Sequence, residues 1–113
     1  MVLPEDGCLL RIFIGESEKA DGKPLYQWLV EKARAKGLAG ATVWRGMMGY
    51  GANSRIHTSK ILRLSQDLPV IVEIVDTREK LEPFLDEVDS MIQGGLATLE
   101  KAQVRFYRSN KRR

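Results

Sequence analysis

Apolar and polar positions along the chain fall into segments that predict the order strand, helix, strand, strand, helix, strand. Leu9 to Ile14 is a short aliphatic and aromatic run closed by Gly15, and it reads as a strand. Glu16 to Lys23 is polar, contains Asp21-Gly22, and reads as a loop. Pro24 suits the first turn of a helix. Leu25, Trp28, Leu29 and Ala33 then recur at helical spacing until Gly37, with Trp28 on the core stripe. Ala41 to Trp44 is a second strand, with Trp44 expected in the core, and Gly46 to Ser59 is a long glycine-rich excursion without a period. Leu68 to Val75 is a third strand, after which Asp76 and Glu79 predict a capping box. Leu81, Phe84, Leu85, Val88 and Ile92 mark a second helix that ends at Gly94-Gly95. Pro83 fits only its first turn or a kink, which predicts a start later than the cap. Ala97 to Tyr107 is the last strand, with Ala102, Val104 and Phe106 alternating against Gln103, Arg105 and Tyr107.

The two halves echo each other. Leu25, Trp28 and Leu29 match Leu81, Phe84 and Leu85, and Gly37-Leu38-Ala39 matches Gly95-Leu96-Ala97. Two such units predict an α+β chain with the ferredoxin-like βαββαβ fold: an antiparallel sheet with both helices on one face. The expected division is an N-terminal extension over 1–8, the domain over 9–107 and a basic tail over 108–113. Val70-Ile71-Val72 and Ile74-Val75 are apolar at consecutive positions, broken only by Glu73, so both sheet faces there avoid water. Helices cover one face only. A second copy of the chain is the expected cover for the other, which makes the protein an obligate oligomer.

With 113 residues the chain is one domain's worth. No apolar run is long enough to cross a bilayer, and Met1 to Asp6 lacks the basic end and apolar stretch of a signal peptide. The single cysteine can form no intramolecular disulfide, which predicts a cytoplasmic protein. One histidine and one cysteine are too few for a zinc site within one chain, so no metal is expected there. The net charge of +3 comes from Arg108, Lys111, Arg112 and Arg113, since the other 14 basic residues against 15 acids leave −1. A neutral body with a basic end does not read as a nucleic-acid binder.

Charge is more telling inside the chain. No Asp or Glu occurs between Glu31 and Asp67, where average composition would put about four or five. That window holds Lys32, Arg34, Lys36, Arg45, Arg55, Lys60 and Arg63, the character an anion-binding surface requires.

Catalytic patterns are missing from the sequence. Gly15-Glu16-Ser17 lacks the second glycine of a nucleophile elbow, and Gly22-Lys23-Pro24 fails the phosphate-loop spacing. Cys8 reads as a buried small apolar residue. The expectation is a protein that is not an enzyme. Arg45-Gly46-Met47-Met48-Gly49-Tyr50-Gly51 carries three glycines that let backbone N–H groups face a ligand. Ser54-Arg55-Ile56-His57-Thr58-Ser59-Lys60 then adds cations, an imidazole and hydroxyls with no competing acid. Gly94-Gly95 is a helix stop that, in a ferredoxin-like oligomer, can face the excursion across a subunit boundary.

Gly40 to Gly51, Ser54 to Thr58, Leu64 to Val70 and Glu73 to Asp76 together resemble a family of small PII-like proteins, over about Leu9 to Tyr107. The resemblance implies a ferredoxin-like subunit, a homotrimer and kinship with nitrogen-regulatory PII proteins. In those, a long loop contacts target proteins and adenine nucleotides bind between subunits. Carried onto this chain, the loop is residues 49–62. The ligand set is Arg45, Gly46, Gly49, Gly51, Arg55, His57, Lys60, Gly94, Gly95 and Lys101, with no cofactor beyond an adenine nucleotide ligand. Tyr50 sits at the loop's base, and Gly94-Gly95-Leu96 stands where PII proteins have a glycine-aspartate-glycine-lysine turn. The function implied is a sensor that binds a small anionic metabolite and regulates a protein partner, such as a membrane transporter or channel, without entering the membrane or binding nucleic acid. The alternative is a metal-responsive or structural trimer like the copper-tolerance relatives of PII, with Cys8 and His57 gathered by threefold symmetry.

Overall fold

A computed structural model describes residues 6–51, 57–58 (backbone only) and 68–110. Strand β1 (Asp6–Gly15) is followed by two-residue strands β2 (Lys19–Ala20) and β3 (Lys23–Pro24), then helix α1 (Leu25–Ala35) and strand β4 (Ala41–Arg45). The short strands β5 (Met48–Gly49) and β6 (His57–Thr58) come next. Strand β7 (Pro69–Asp76), helix α2 (Arg78–Val88), a 3₁₀ turn over Asp89–Met91 and strand β8 (Leu96–Gln103) complete the order.

The main sheet has the order β4-β7-β1-β8, antiparallel throughout. That is the α+β, ferredoxin-like arrangement the sequence predicts. Strand β1 starts at Asp6 and so takes in three residues of the expected N-terminal extension.

One face of the sheet carries both helices. Leu10, Ile12 and Ile14 of β1 and Val70, Val72 and Ile74 of β7 alternate inward and meet Leu25, Leu29 and Ala33 of α1 and Leu81, Phe84 and Val88 of α2. Strand periodicity of two and helix periodicity near 3.6 put these side chains on one surface each, and burying them stabilises the subunit. Cys8 joins this core as a free, buried thiol, as its sequence context predicts. Helix α1 ends in a Schellman motif: Gly37 N–H bonds Arg34 O at 3.0 Å and Leu38 N–H bonds Ala33 O at 3.1 Å. Gly37 has φ 75°, the left-handed conformation a glycine takes at least cost.

Four local expectations need correcting. The N-cap of α2 is Thr77, and Asp76 is not its capping side chain. Asp76 is wholly buried, with one carboxylate oxygen accepting Thr77 N–H at 2.6 Å and the other accepting Ala39 N–H at 2.8 Å. Helix α2 begins at Arg78, directly after its cap, continues past Pro83 and stops at Val88, leaving Ile92 beyond the 3₁₀ turn. Strand β8 stops at Gln103, which pairs with Asp6, the first described residue of β1, so Val104 to Tyr107 are not part of it. The two tryptophans are not core residues. Trp28 is half-buried against the core and donates to Asp21 at 3.1 Å, whereas Trp44 is 55% exposed.

Candidate functional site

The glycines singled out in the sequence gather at one end of the sheet, where β1 finishes at Gly15 and β7 begins at Pro69. Gly46 leaves β4 there, its N–H donating to Pro69 O at 2.7 Å. A Cβ at Gly46 would lie 2.8 Å from Pro69 Cγ, so a side chain there would force the proline ring to move, and one at Gly49 would lie 3.3 Å from it, a tight contact. A Cβ at Gly51 would meet none of the described residues within 4 Å. Beyond Gly46 the backbone forms the small ladder in which Met48 pairs with Thr58 and Gly49 with His57.

At the other edge of the same end, Gly95 immediately precedes β8. Its φ is 150° and a Cβ there would lie 2.5 Å from Phe13 O, so no other residue fits without a backbone shift. Gly94 and Gly95 line a cleft of about 320 Å³ with Leu85, Asp86, Asp89 and Ile92. Strands β4 and β8 are the two edges of a four-stranded sheet, so the two glycine groups stand roughly 14 Å apart at about 4.8 Å per strand. A single chain therefore does not bring them together.

Arg45, the last residue of β4, is not a free cation. Its Nε donates to Glu16 at 3.0 Å and a terminal nitrogen closes on the same carboxylate oxygen, which holds the guanidinium more firmly protonated than usual. Lys101 is exposed opposite Cys8, five residues and about 17 Å along β8 from Leu96, so it belongs to the far end of the sheet. His57 lies beside Gly49 by its backbone, while Arg55, Lys60 and most of the 49–62 loop lie outside the described residues.

Charge also sits on the uncovered sheet face, where sequence reasoning nominated nothing. Leu9, Arg11 and Phe13 of β1 and Ile71, Glu73 and Val75 of β7 alternate with the core positions and are half-buried. Arg11 bridges two carboxylates, Glu73 at 2.8 Å and Glu100 at 2.6 Å, and Trp44 Nε1 donates to Glu73 at 2.7 Å. The hydrogen bonds from Arg11 and then Trp44 push the Glu73 carboxyl below its ordinary range. The signal was in the sequence: Arg11 and Glu73 are the lone charges in two apolar runs, and the register makes them direct partners.

Past β8 the chain continues as an arm, Val104 to Tyr107, that lines a cleft of about 660 Å³ together with Leu9, Val75 and Ala102. Tyr107 fastens the arm by donating its hydroxyl to Ala39 O at 2.6 Å. Among the described residues no three His, Cys, Asp or Glu side chains meet to hold a metal, and no helix is long and apolar enough to cross a membrane. Cys8 is under the helices at the end of β1 remote from Gly49 and its partner His57, so the two residues of the metal alternative do not meet within one chain.

The DUF190 family model, described as an uncharacterized ACR, matches residues 7–104. A UPF0166 protein of Aquifex aeolicus (strain VF5) is 47% identical over 96 residues, 85% of this chain and 90% of that protein. A UPF0166 protein of Methanocaldococcus jannaschii is 34% identical over 85 residues, 75% of this chain and 78% of that protein. Among solved structures, the nitrogen regulatory PII-like protein CPII from Thiomonas intermedia K12, bound to ADP, AMP and bicarbonate, aligns with a TM-score of 0.68 and 15% identity over 88% of both chains. Its apo form aligns with a TM-score of 0.59 and 15% identity, over 88% of this chain and 91% of that one. The chain belongs to the DUF190 family, and its fold is that of PII-like proteins.

Proposed function

We propose that this DUF190 member is a PII-like sensor, not an enzyme. Copies of the chain associate through their open sheet faces as a trimer, and a small anionic metabolite, an adenine nucleotide, lodges between Arg45–Gly51 of one copy and Gly94-Gly95 of the next. Loop 49–62 then passes the state of that cleft to a protein partner. One observation carries the reading: the two glycine groups lie at the same end of the sheet but on opposite edges, so only a neighbouring copy can complete a cleft from both. Further support comes from CPII, a structural neighbour whose solved form holds ADP, AMP and bicarbonate.

Affinity in such a cleft comes from backbone N–H groups and charge-assisted contacts to phosphate. Titration calorimetry with ATP, ADP, AMP, a cyclic nucleotide and bicarbonate, alongside light scattering, tests the reading. Binding of at least one nucleotide by a particle of trimer mass is the expected result. Silence from every ligand removes the sensor role, and a stable monomer removes the cleft.

A further inference from the structure

The acid-free window of the sequence contains Arg45, yet Arg45 does not lack a carboxylate. Glu16 supplies one from 29 residues away, outside the window. The two partners are held very differently. Glu16 is 22% exposed and follows β1 directly: its own N–H donates to Leu68 O at 2.8 Å, and the preceding Gly15 N–H donates to the Glu18 carboxylate at 2.6 Å. Arg45 closes an edge strand and its side chain is 64% exposed. A fixed carboxylate thus grips a long, exposed guanidinium at the point where the chain leaves the sheet for the glycine-rich excursion.

We propose that Glu16 is an internal competitor for the ligand's phosphate, occupying Arg45 until a more highly charged anion displaces it. The proposal rests on the reading of this end of the sheet as an anion site. Two physical arguments support it. An ion pair this exposed is weak and readily exchanged. A guanidinium fork also binds phosphate in the same two-pronged geometry that it uses for carboxylate. Glu16 therefore sets a threshold that singly charged anions pass less easily than a diphosphate, and exchange at Arg45 reports ligand at the base of the excursion.

The experiment is a double-substitution cycle read by calorimetry, with ADP and inorganic pyrophosphate as probes and thermal melting to confirm folding. Glu16→Gln keeps the shape and removes the charge, and is expected to tighten ADP binding about threefold to fivefold, the range an exposed ion pair allows. Arg45→Gln weakens binding, and in that background Glu16→Gln gives no further gain. A gain that survives Arg45→Gln is a general charge effect and overturns the proposal. Unchanged affinity in Glu16→Gln, with the native protein binding ADP, overturns it while leaving the sensor reading intact. Binding by Glu16→Gln alone supports it and identifies Glu16 as the block. If neither probe binds any variant, the sensor reading fails and the competitor role fails with it.

Discussion

Leu9 and Leu10 are neighbours on β1 and chemically identical, yet they live in different environments. Leu10 points under the helices and is fully buried; Leu9 points to the opposite face and is half-buried, with nothing from its own helices above it. The same contrast runs across the sheet. The buried core under the helices is aliphatic apart from Phe84, Cys8 and, at its margin, Asp76, with Tyr26 and Trp28 half-buried against it, whereas the open face mixes Phe13, Ile71, Trp44 and Leu96 with the Arg11–Glu73–Glu100 ion pairs. A face built only to meet water would not expose Trp44 and Leu96 at 55% and 58%, and a face built only as core would not carry three charges. The mixture suits the proposed contact between copies, in which apolar side chains supply buried area and the ion pairs constrain register.

The largest effect should therefore come from the covered face. Leu10→Ala is expected to cost about 2–5 kcal/mol, from lost transfer energy and the cavity left behind, measured by urea denaturation. Leu9→Ala, the same change one residue away, should cost the subunit about 1 kcal/mol or less, since half its surface is already wet. Equal losses would mean that the open face is as much a part of the subunit core as the other. Next in size is a change that leaves the subunit folded. Ile71→Asp places a charge in the centre of the open face, and it should reduce the particle mass seen by light scattering while the circular dichroism spectrum stays native. An unchanged mass would show that copies meet elsewhere.

The difference between the faces also explains what could be read in advance. Short apolar runs marked β1, β4 and β7, and the acid-free window with its glycines marked the Pro69 end. Trp44 was misplaced because an aromatic at a strand end looks the same whether its strand is central or an edge, and only the order β4-β7-β1-β8 decides that. The hairpin of β2 and β3 is too short to show a period. Asp76 resembled a cap because Glu79 follows at the right spacing, while its real partner, Ala39 N–H, is 37 residues away. The Glu16–Arg45 pair was hidden for the same reason: neither residue announces a contact 29 positions distant.

A smaller effect separates the faces by pH. Glu73 is held below its ordinary value of 4.5 by Arg11 and Trp44, so its charged form favours the folded state. That contribution is complete above pH 4.5 and is lost as pH falls further, through the lowered folded value. Melting temperatures of the native protein and Glu73→Gln should therefore converge as pH drops below 4.5. The gap above that pH should stay modest, because Arg11 and Glu73 are 37% and 26% exposed. A gap that is constant with pH would assign the role of Glu73 to packing.

The smallest effect lies where the two faces are joined. The peptide group of Ala39 is held from both sides: Asp76, at the margin of the covered face, accepts its N–H, and Tyr107, on the arm that bounds the open-face cleft, donates to its carbonyl. The holds are unequal, since Asp76 is wholly buried and Tyr107 is 45% exposed. Tyr107→Phe removes only the outer hold. Its cost should be about 0.5–1 kcal/mol, the low end for a hydrogen bond whose acceptor can turn to water. Hydrogen exchange then distinguishes anchor from strap. If Asp76 anchors the turn and Tyr107 merely ties the arm to it, the Ala39 amide stays protected in Tyr107→Phe. If that amide opens along with the arm, the strap holds the turn in place, and the covered face depends on the open one.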